Sequence, residues 1–314
     1  MTPRQKPRQR QRDSVDVAAT WLDGLARSDV PIGPLTTYRV GGAAALFVEI
    51  ASEEELATVA AAVSNSGVEV LVLGRGSNLL VADAGFAGLV VSLGESFAHV
   101  NIEGTTVRVG AAAALPVVAR QTVGAGLSGF EWGVGVPGSI GGAVRMNAGG
   151  HGAEMVDVLR AARLVDLARG SDRLVDVTAL ELGYRRSAVE HQELVVAAEL
   201  GLSLGDRTAG ERKLAEIVAW RRANQPGRQN AGSVFTNPQG DTAGRLIEAA
   251  GCKGLRIGTA EVSSKHANFF QADPGGSADD LWALMLEVRH RVKLATGVEL
   301  GPETRLVGYE GGLR

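Results

Sequence analysis

Residues 133–150 read GVGVPGSIGGAVRMNAGG, a ribbon dense in glycine and nearly free of charge. Such a stretch resists a long regular element, because glycine loses more conformational freedom on folding than any other residue. It contains a literal G-x-G-x-x-G at Gly133, Gly135 and Gly138. A dinucleotide-binding βαβ unit would launch a helix directly from those glycines. Pro137 stands where that helix would have to propagate, and Ser139-Ile-Gly-Gly142 is expected to keep the chain in a turn. A Rossmann domain is therefore rejected. What the ribbon can do is bring bare backbone N–H groups against a pyrophosphate. A second loop, Gly74-Arg-Gly-Ser-Asn78, follows a short apolar run and could do the same from a strand end. Either loop alone is an ordinary turn; the two together point to a phosphate-bearing cofactor.

The pattern around these loops is mixed. Ser52-Glu-Glu-Glu55 is a capping box, with Leu56, Val59, Ala60 and Val63 at helical spacing up to Gly67. Runs at 68–73, 87–93 and 195–202 read as strands, and the segments on either side of Glu103-Gly104 as a hairpin. Helices are expected over 115–123, over 210–223 with Leu214, Ile217, Val218 and Trp220 inward, over 242–250, and over 277–295 between Ser277 and Gly297. Residues 298–300 and 304–308 read as the last extended pieces. The sharpest break in composition, Gly201–Gly210, sets a boundary. The expected division is a disordered basic tail at 1–14, a first domain at 15–205, a second at 206–300, and a C-terminal segment at 301–314 returning to the active site.

Composition narrows the function classes. Residues 1–12 carry five basic residues and no acid, which leaves the remaining chain at a net charge of −8. An acidic body argues against nucleic acid or an anionic membrane as the main partner. The basic head has no apolar core, so it is no secretory signal. One cysteine, Cys252, excludes an internal disulfide framework and a cysteine-rich metal site, and no metal is expected. The cytoplasm is the expected compartment.

Residues 230–238, NAGSVFTNP, enclose Ser233. In isolation it is turn chemistry. Its neighbours elsewhere change that. Tyr38-Arg-Val-Gly-Gly42, Leu73–Leu80, Gly135–Gly142, Met146-Asn-Ala-Gly149, Tyr184-Arg-Arg-Ser187, Gly232–Pro238, Lys265-His-Ala-Asn268 and Pro302-Glu-Thr-Arg305 occur in this order. Together they resemble the UDP-N-acetylenolpyruvoylglucosamine reductase (MurB) family, over about Ile32 to Gly308.

The resemblance implies an α+β fold: an FAD-binding domain of the vanillyl-alcohol-oxidase (PCMH) type plus a smaller α/β substrate-binding domain. It implies non-covalent FAD, NADPH as reductant, and an enolpyruvyl sugar nucleotide as substrate; separately, a monomer is expected. The family's catalytic positions fall on Arg185, Ser233 and Glu303. Cofactor contacts are expected at Gly74, Arg75, Gly76, Ser77 and Asn78, at Pro137, Gly138, Ser139, Ile140, Gly141 and Gly142, and at Asn147, Ala148 and Gly149. Substrate contacts are expected at Tyr184, Gln225, Asn237, Lys265, His266 and Asn268. The chain resembles the branch that lacks a long tyrosine-bearing loop over the diphosphate, since its three tyrosines are at 38, 184 and 309. Lys265, Arg222 or backbone amides are left to hold that group.

The chemistry suits these residue types. Reducing a vinyl ether beside a carboxylate needs a hydride source, positive charge where the carboxylate gains electron density, and an acid for carbon. Arg185 can meet a carboxylate through parallel hydrogen bonds. Ser233 can give up a proton to carbon, and no Ser-His-Asp arrangement is evident. Glu303 either is protonated by burial or orients a proton path. Two other readings stand beside this one: another flavin oxidoreductase of the same fold, and a nucleotide-binding module without catalysis.

Overall fold

The computed structural model describes residues 7–227 and 229–309. Contacts divide the chain into two compact units. The first holds residues up to Val30, Ala44–Arg75 and Ala87–Ala219; the second holds Pro31–Ala43, Gly76–Phe86 and Trp220 onward. The expected linear boundary at 205/206 is not where the contacts divide, because two N-terminal segments belong with the C-terminal residues.

The first unit is built on two sheets. One runs Arg27–Pro31, Ala43–Ile50, Phe86–Leu93, Val70–Val72, with the last two parallel. The other is antiparallel throughout its five strands, in the order Ser171–Asp176, Leu159–Asp166, Glu193–Gly201, Thr106–Gly110, Val100–Glu103. Helix α1 (Pro7–Trp21) packs against α2 (Glu53–Ser66). Residues 7–14, expected as part of a disordered tail, are thus helical; residues 1–6 lie outside the described residues. The anchor is a stripe behind the charges: Ala18 and Leu22 are fully buried with Leu56, Val59 and Val63 of α2. Helix α3 (Leu115–Gly124) and helix α4 (Ile140–Met146) complete the unit's second core, with Val107, Val118, Ile140, Leu159 and Leu200. Ser139 caps α4, its Oγ accepting from Gly142 N–H. The expectation that 139–142 stays in a turn is corrected: a short helix does start there, but only after Pro137 and with no βαβ crossover.

Helix α5 (Arg207–Asn224) runs from one unit into the other. Its Leu214 and Ile217 are buried, whereas Trp220, expected inward, is 48% exposed.

The second unit is a small meander, Arg256–Ile257, Ala260–Val262, Phe270–Ala272, covered by α6 (Ala243–Ala249) and α7 (Ala278–Thr296). Ser277 caps α7 and Gly297 ends it at φ 74°, as the sequence predicts. Asp83 adds a carboxylate there, accepting from the Ala278 and Asp279 N–H groups. Tyr38, Val40 and Leu80 are buried in this unit's core with Val234, Phe235 and Phe270. Arg305–Val307 pairs in parallel with Leu79–Val81. Residues 298–300, expected as extended, form no strand; 310–314, the end of the expected returning segment, lie outside the described residues.

Candidate active site

In the first unit, Arg185 is set by a tight turn. Gly183 and Arg186 exchange backbone hydrogen bonds at 3.1 Å, with Tyr184 and Arg185 at the corners. Arg185 sits at φ 57°, a left-handed conformation that costs a residue with a side chain about 1–2 kcal/mol. Such strain is tolerated where the surroundings fix the residue. Its Nη1 donates to the Asn147 carbonyl (3.5 Å) and Glu154 Oε1 (3.4 Å), and its Nη2 to the Gly149 carbonyl (3.3 Å). The guanidinium carbon lies 4.9 Å from the Tyr184 ring centroid. Arg185, Tyr184, Asn147 and Gly149 are therefore brought together. The contacts are long for charge-assisted bonds, which run to about 2.7–2.9 Å.

Asn147 caps the end of α4 at φ 41° and is 1% exposed. Its Nδ2 donates to Glu154 Oε2 (3.0 Å) and the Gly183 carbonyl (3.1 Å), and its Oδ1 accepts from Val156 N–H (2.9 Å). The carboxamide is spent inside the protein, so the Asn147 side chain organises the Arg185 turn. Glu154, which the sequence reading passed over, is the shared partner of Arg185 and Asn147. The structure sets Glu154 opposite Gly149 in the short pairing of Gly149–Gly150 with Ala153–Glu154.

The glycine ribbon is less bare than expected. Ile140 N–H donates to Ala113, Gly141 N–H to Ala111 and Gly142 N–H to Ser139 Oγ. These three amides are used internally. The other loop differs: among the described residues no acceptor is found for the N–H groups of residues 74–78. A Cβ on Gly74 would stand 2.7 Å from Ser139 Oγ, and one on Gly76, at φ +60°, would stand 2.4 Å from the Leu35 carbonyl. Successive amides on a backbone crowded against a side chain at Gly74 and Gly76 suit an anionic group. The residues present therefore fit a pyrophosphate-bearing cofactor, with the amides at 74–78 the stronger part of the cradle. Arg75 is exposed, Pro137 is exposed, Gly138 is buried and Ala148 half-buried.

In the second unit, Ser233 and Glu303 lie on neighbouring ribbons. Residues 233–236 run between 268–269 and 301–304. Val234 N–H donates to the Asn268 carbonyl (2.9 Å), Glu303 N–H to the Val234 carbonyl (2.8 Å), and Thr236 N–H to the Gly301 carbonyl (2.9 Å). Asn78 extends the ladder: its Nδ2 donates to the Glu303 carbonyl (3.0 Å), and its own carbonyl accepts from Arg305 N–H (3.0 Å). Ser233 is half-buried, and among the described residues no hydrogen-bond partner is found for its hydroxyl. Arg305 carries a half-buried guanidinium whose pKa burial lowers from its ordinary value, with no acid bound to it among the described residues.

The remaining expected substrate residues divide. Asn268 is 3% exposed and bonds the Phe235 backbone through both ends of its carboxamide. His266 accepts from Asn268 N–H at Nδ1 (3.2 Å) and lies edge-on to Phe269. The bond fixes the other ring nitrogen, Nε2, as the one that carries hydrogen. Burial lowers the His266 pKa, with Lys253 adding to that and Glu248 opposing it. Lys265 Nζ donates to the Arg222 carbonyl at the end of α5. Gln225 Oε1 accepts from Arg221 Nε (2.8 Å), and Asn237 Oδ1 from Ala243 N–H (3.0 Å). Among the described residues no group of acidic, histidine and cysteine side chains is arranged to hold a metal ion, and no helix is long and apolar enough to cross a membrane.

The fold and the amide cradle define an FAD-binding α+β protein, and a family model described as an FAD binding domain matches residues 44–173. A second, the C-terminal domain of UDP-N-acetylenolpyruvoylglucosamine reductase, matches 224–307. The chain is 42% identical over 285 residues to the reductase of Heliobacterium modesticaldum, covering 90% of each, and 44% identical over 284 residues to that of Acidiphilium cryptum, covering 89% of this chain and 90% of the relative. The crystal structure of the Thermus caldophilus reductase matches with TM-score 0.78 at 35% identity, over 90% of this chain and 99% of that one. The chain belongs to the UDP-N-acetylenolpyruvoylglucosamine reductase family.

Proposed function

We infer that this chain is an FAD-dependent oxidoreductase that uses NADPH to reduce UDP-N-acetyl-3-O-(1-carboxyvinyl)-glucosamine to UDP-N-acetylmuramate in peptidoglycan precursor synthesis. The observation that carries the chemical assignment is the bonded pair of ribbons bearing Ser233 and Glu303, with the Ser233 hydroxyl uncommitted.

When bound and reduced by NADPH, FAD would provide the hydride for the vinyl carbon. Ser233 gives its hydroxyl proton to the carbon beside the carboxylate and regains one from solvent. Arg185 neutralises charge that develops on that carboxylate. Glu303 acts either as a neutral acid or as an orienting group for the proton path. The amides of residues 74–78 would hold the cofactor's phosphates. Lys265 reaches the substrate diphosphate only by leaving the α5 carbonyl it now meets. FAD is held non-covalently and separates from the denatured chain on filtration. The protein acts as a monomer in the cytoplasm, and gel filtration tests the first point.

The test is Ser233→Ala in the flavin-loaded enzyme. Bleaching of the flavin bands by NADPH stays within about twofold of wild type, while their recovery with the sugar nucleotide slows by roughly 10²–10⁴-fold, the range for losing a positioned proton donor. Equal slowing of both half-reactions would sink the assignment.

A further inference from the structure

Phe235 follows Ser233 by two residues, and a side chain holds its backbone. Asn268 Nδ2 donates to the Phe235 carbonyl at 2.8 Å, and Asn268 Oδ1 accepts from Phe235 N–H at 3.0 Å. Turning the carboxamide over would set donor against donor and acceptor against acceptor, so only one orientation serves both groups. Asn268 is 3% exposed and Phe235 fully buried. Water therefore offers no substitute partner, and losing the amide leaves two buried backbone groups unpaired. The Asn268 carbonyl also accepts from Val234 N–H, while the Val234 carbonyl accepts from Glu303 N–H. Ser233 thus heads a segment fixed from one flank by Asn268 and from the other by the ribbon that carries Glu303.

We propose that Asn268 is a positioning residue for Ser233: its two-point hold on Phe235 places the serine hydroxyl against the Glu303 ribbon without the amide touching substrate. At 3% exposure the amide offers a substrate almost no surface, and one of its donors and one of its acceptor sites already bond the Phe235 backbone. A packing residue would need no amide at all. The proposal rests on Ser233 as proton donor, so its test includes Ser233→Ala alongside.

The experiment compares holoenzyme carrying Asn268→Ala or Asn268→Asp, with each half-reaction followed anaerobically by the flavin absorbance. Aspartate is close to asparagine in shape. Ionised, it can accept from Phe235 N–H but sets negative charge against the Phe235 carbonyl; protonated, its O–H restores the missing donor. Burial raises the pKa of such a carboxyl. His266 and Glu303 are the titratable groups on the ribbons flanking this segment, so each variant's profile is divided by the wild-type profile.

Asn268→Ala slows reoxidation by the sugar nucleotide by about tenfold or more at every pH, since a small misplacement of a reacting group is costly. Asn268→Asp shows the same defect at pH 8.5 and recovers to within about threefold of wild type as pH falls towards 5.5. For both, flavin reduction by NADPH stays within about twofold and the sugar-nucleotide KM within about threefold. A pH-independent defect in Asn268→Asp, a defect confined to KM, or wild-type rates in Asn268→Ala overturns the proposal. If Asn268→Ala is insoluble, the Asn268→Asp profile decides alone. If Ser233→Ala slows both half-reactions alike, the proton-donor reading fails; if it is selective while Asn268→Asp is flat with pH, only the positioning role fails.

Discussion

Arg185 and Glu154 show how one residue's chemistry is set by another's commitments. The Arg185 guanidinium is held by two backbone carbonyls and one carboxylate. That carboxylate also accepts from Asn147 and from the N–H of Asp157 in a capping box. Glu154→Ala takes the carboxylate acceptor from Arg185, Asn147 and the Asp157 N–H at once, so it destabilises by about 1–3 kcal/mol. Glu154→Gln keeps an oxygen for Asn147 and loses less than half as much. Thermal melting of the two variants checks this, and equal losses would show that the acceptor network does not matter. Residue types stand out in the sequence where a motif surrounds them, and Ser233, Arg185 and Glu303 are the expected catalytic positions for that reason. The backbone bonds of two asparagines were not legible. Asn147 meets Gly183 across 36 positions and Asn268 meets Phe235 across 33. A carboxamide suits a ligand and a distant backbone equally well, and nothing local distinguishes the two.

At the scale of elements, the segment 263–269 behaves as one hydrogen-bonded loop. Ser263 Oγ accepts from the N–H groups of Lys265 and His266, and His266 Nδ1 accepts from Asn268 N–H. Burial lowers the His266 pKa below its ordinary value. The unfolded chain therefore takes up a proton near pH 6.5 that the folded loop resists, and protonation also removes the acceptor for Asn268. His266 contributes stability that is fully present above pH 6.5 and is lost as pH falls through its lowered folded value. Melting temperatures between pH 7.5 and 5.5 fall further for wild type than for His266→Gln; parallel curves would remove His266 from the account. Loops of this kind escaped the sequence, as did the two-residue and three-residue strands at 256–272, which are too short to show a period. The capped helices did not escape. Ser52 and Ser277 accept from the N–H groups of Glu55 and Asp280, as their spacing predicts. Helix α1 was missed because a run of arginines precedes its apolar stripe, and the charges dominated the reading.

At the scale of the whole molecule, the order of the chain and the order of its cores differ. Reading composition along the chain places the second domain after residue 205. The core of the second unit instead includes Tyr38, Val40 and Leu80, each at most 4% exposed. Leu79–Val81 is also the strand that pairs with Arg305–Val307, and Asn78 and Asp83 bind the Glu303 carbonyl and the start of α7. A linear profile cannot report this, because segments 31–43 and 76–86 are short and each is flanked by first-unit sequence. The consequence is a test of how the unit holds together. A fragment of residues 206–314 lacks three fully or nearly buried side chains, where deleting even one large apolar group costs about 2–5 kcal/mol. Its last strand has no partner, and α7 loses the Asp83 carboxylate. Domains of this size hold only about 5–15 kcal/mol in total. The fragment is expected to show no cooperative melting by circular dichroism and no dispersed amide spectrum. A well-dispersed spectrum with a cooperative transition would show that the linear boundary marks an independent domain after all, and that residues 31–43 and 76–86 only decorate it.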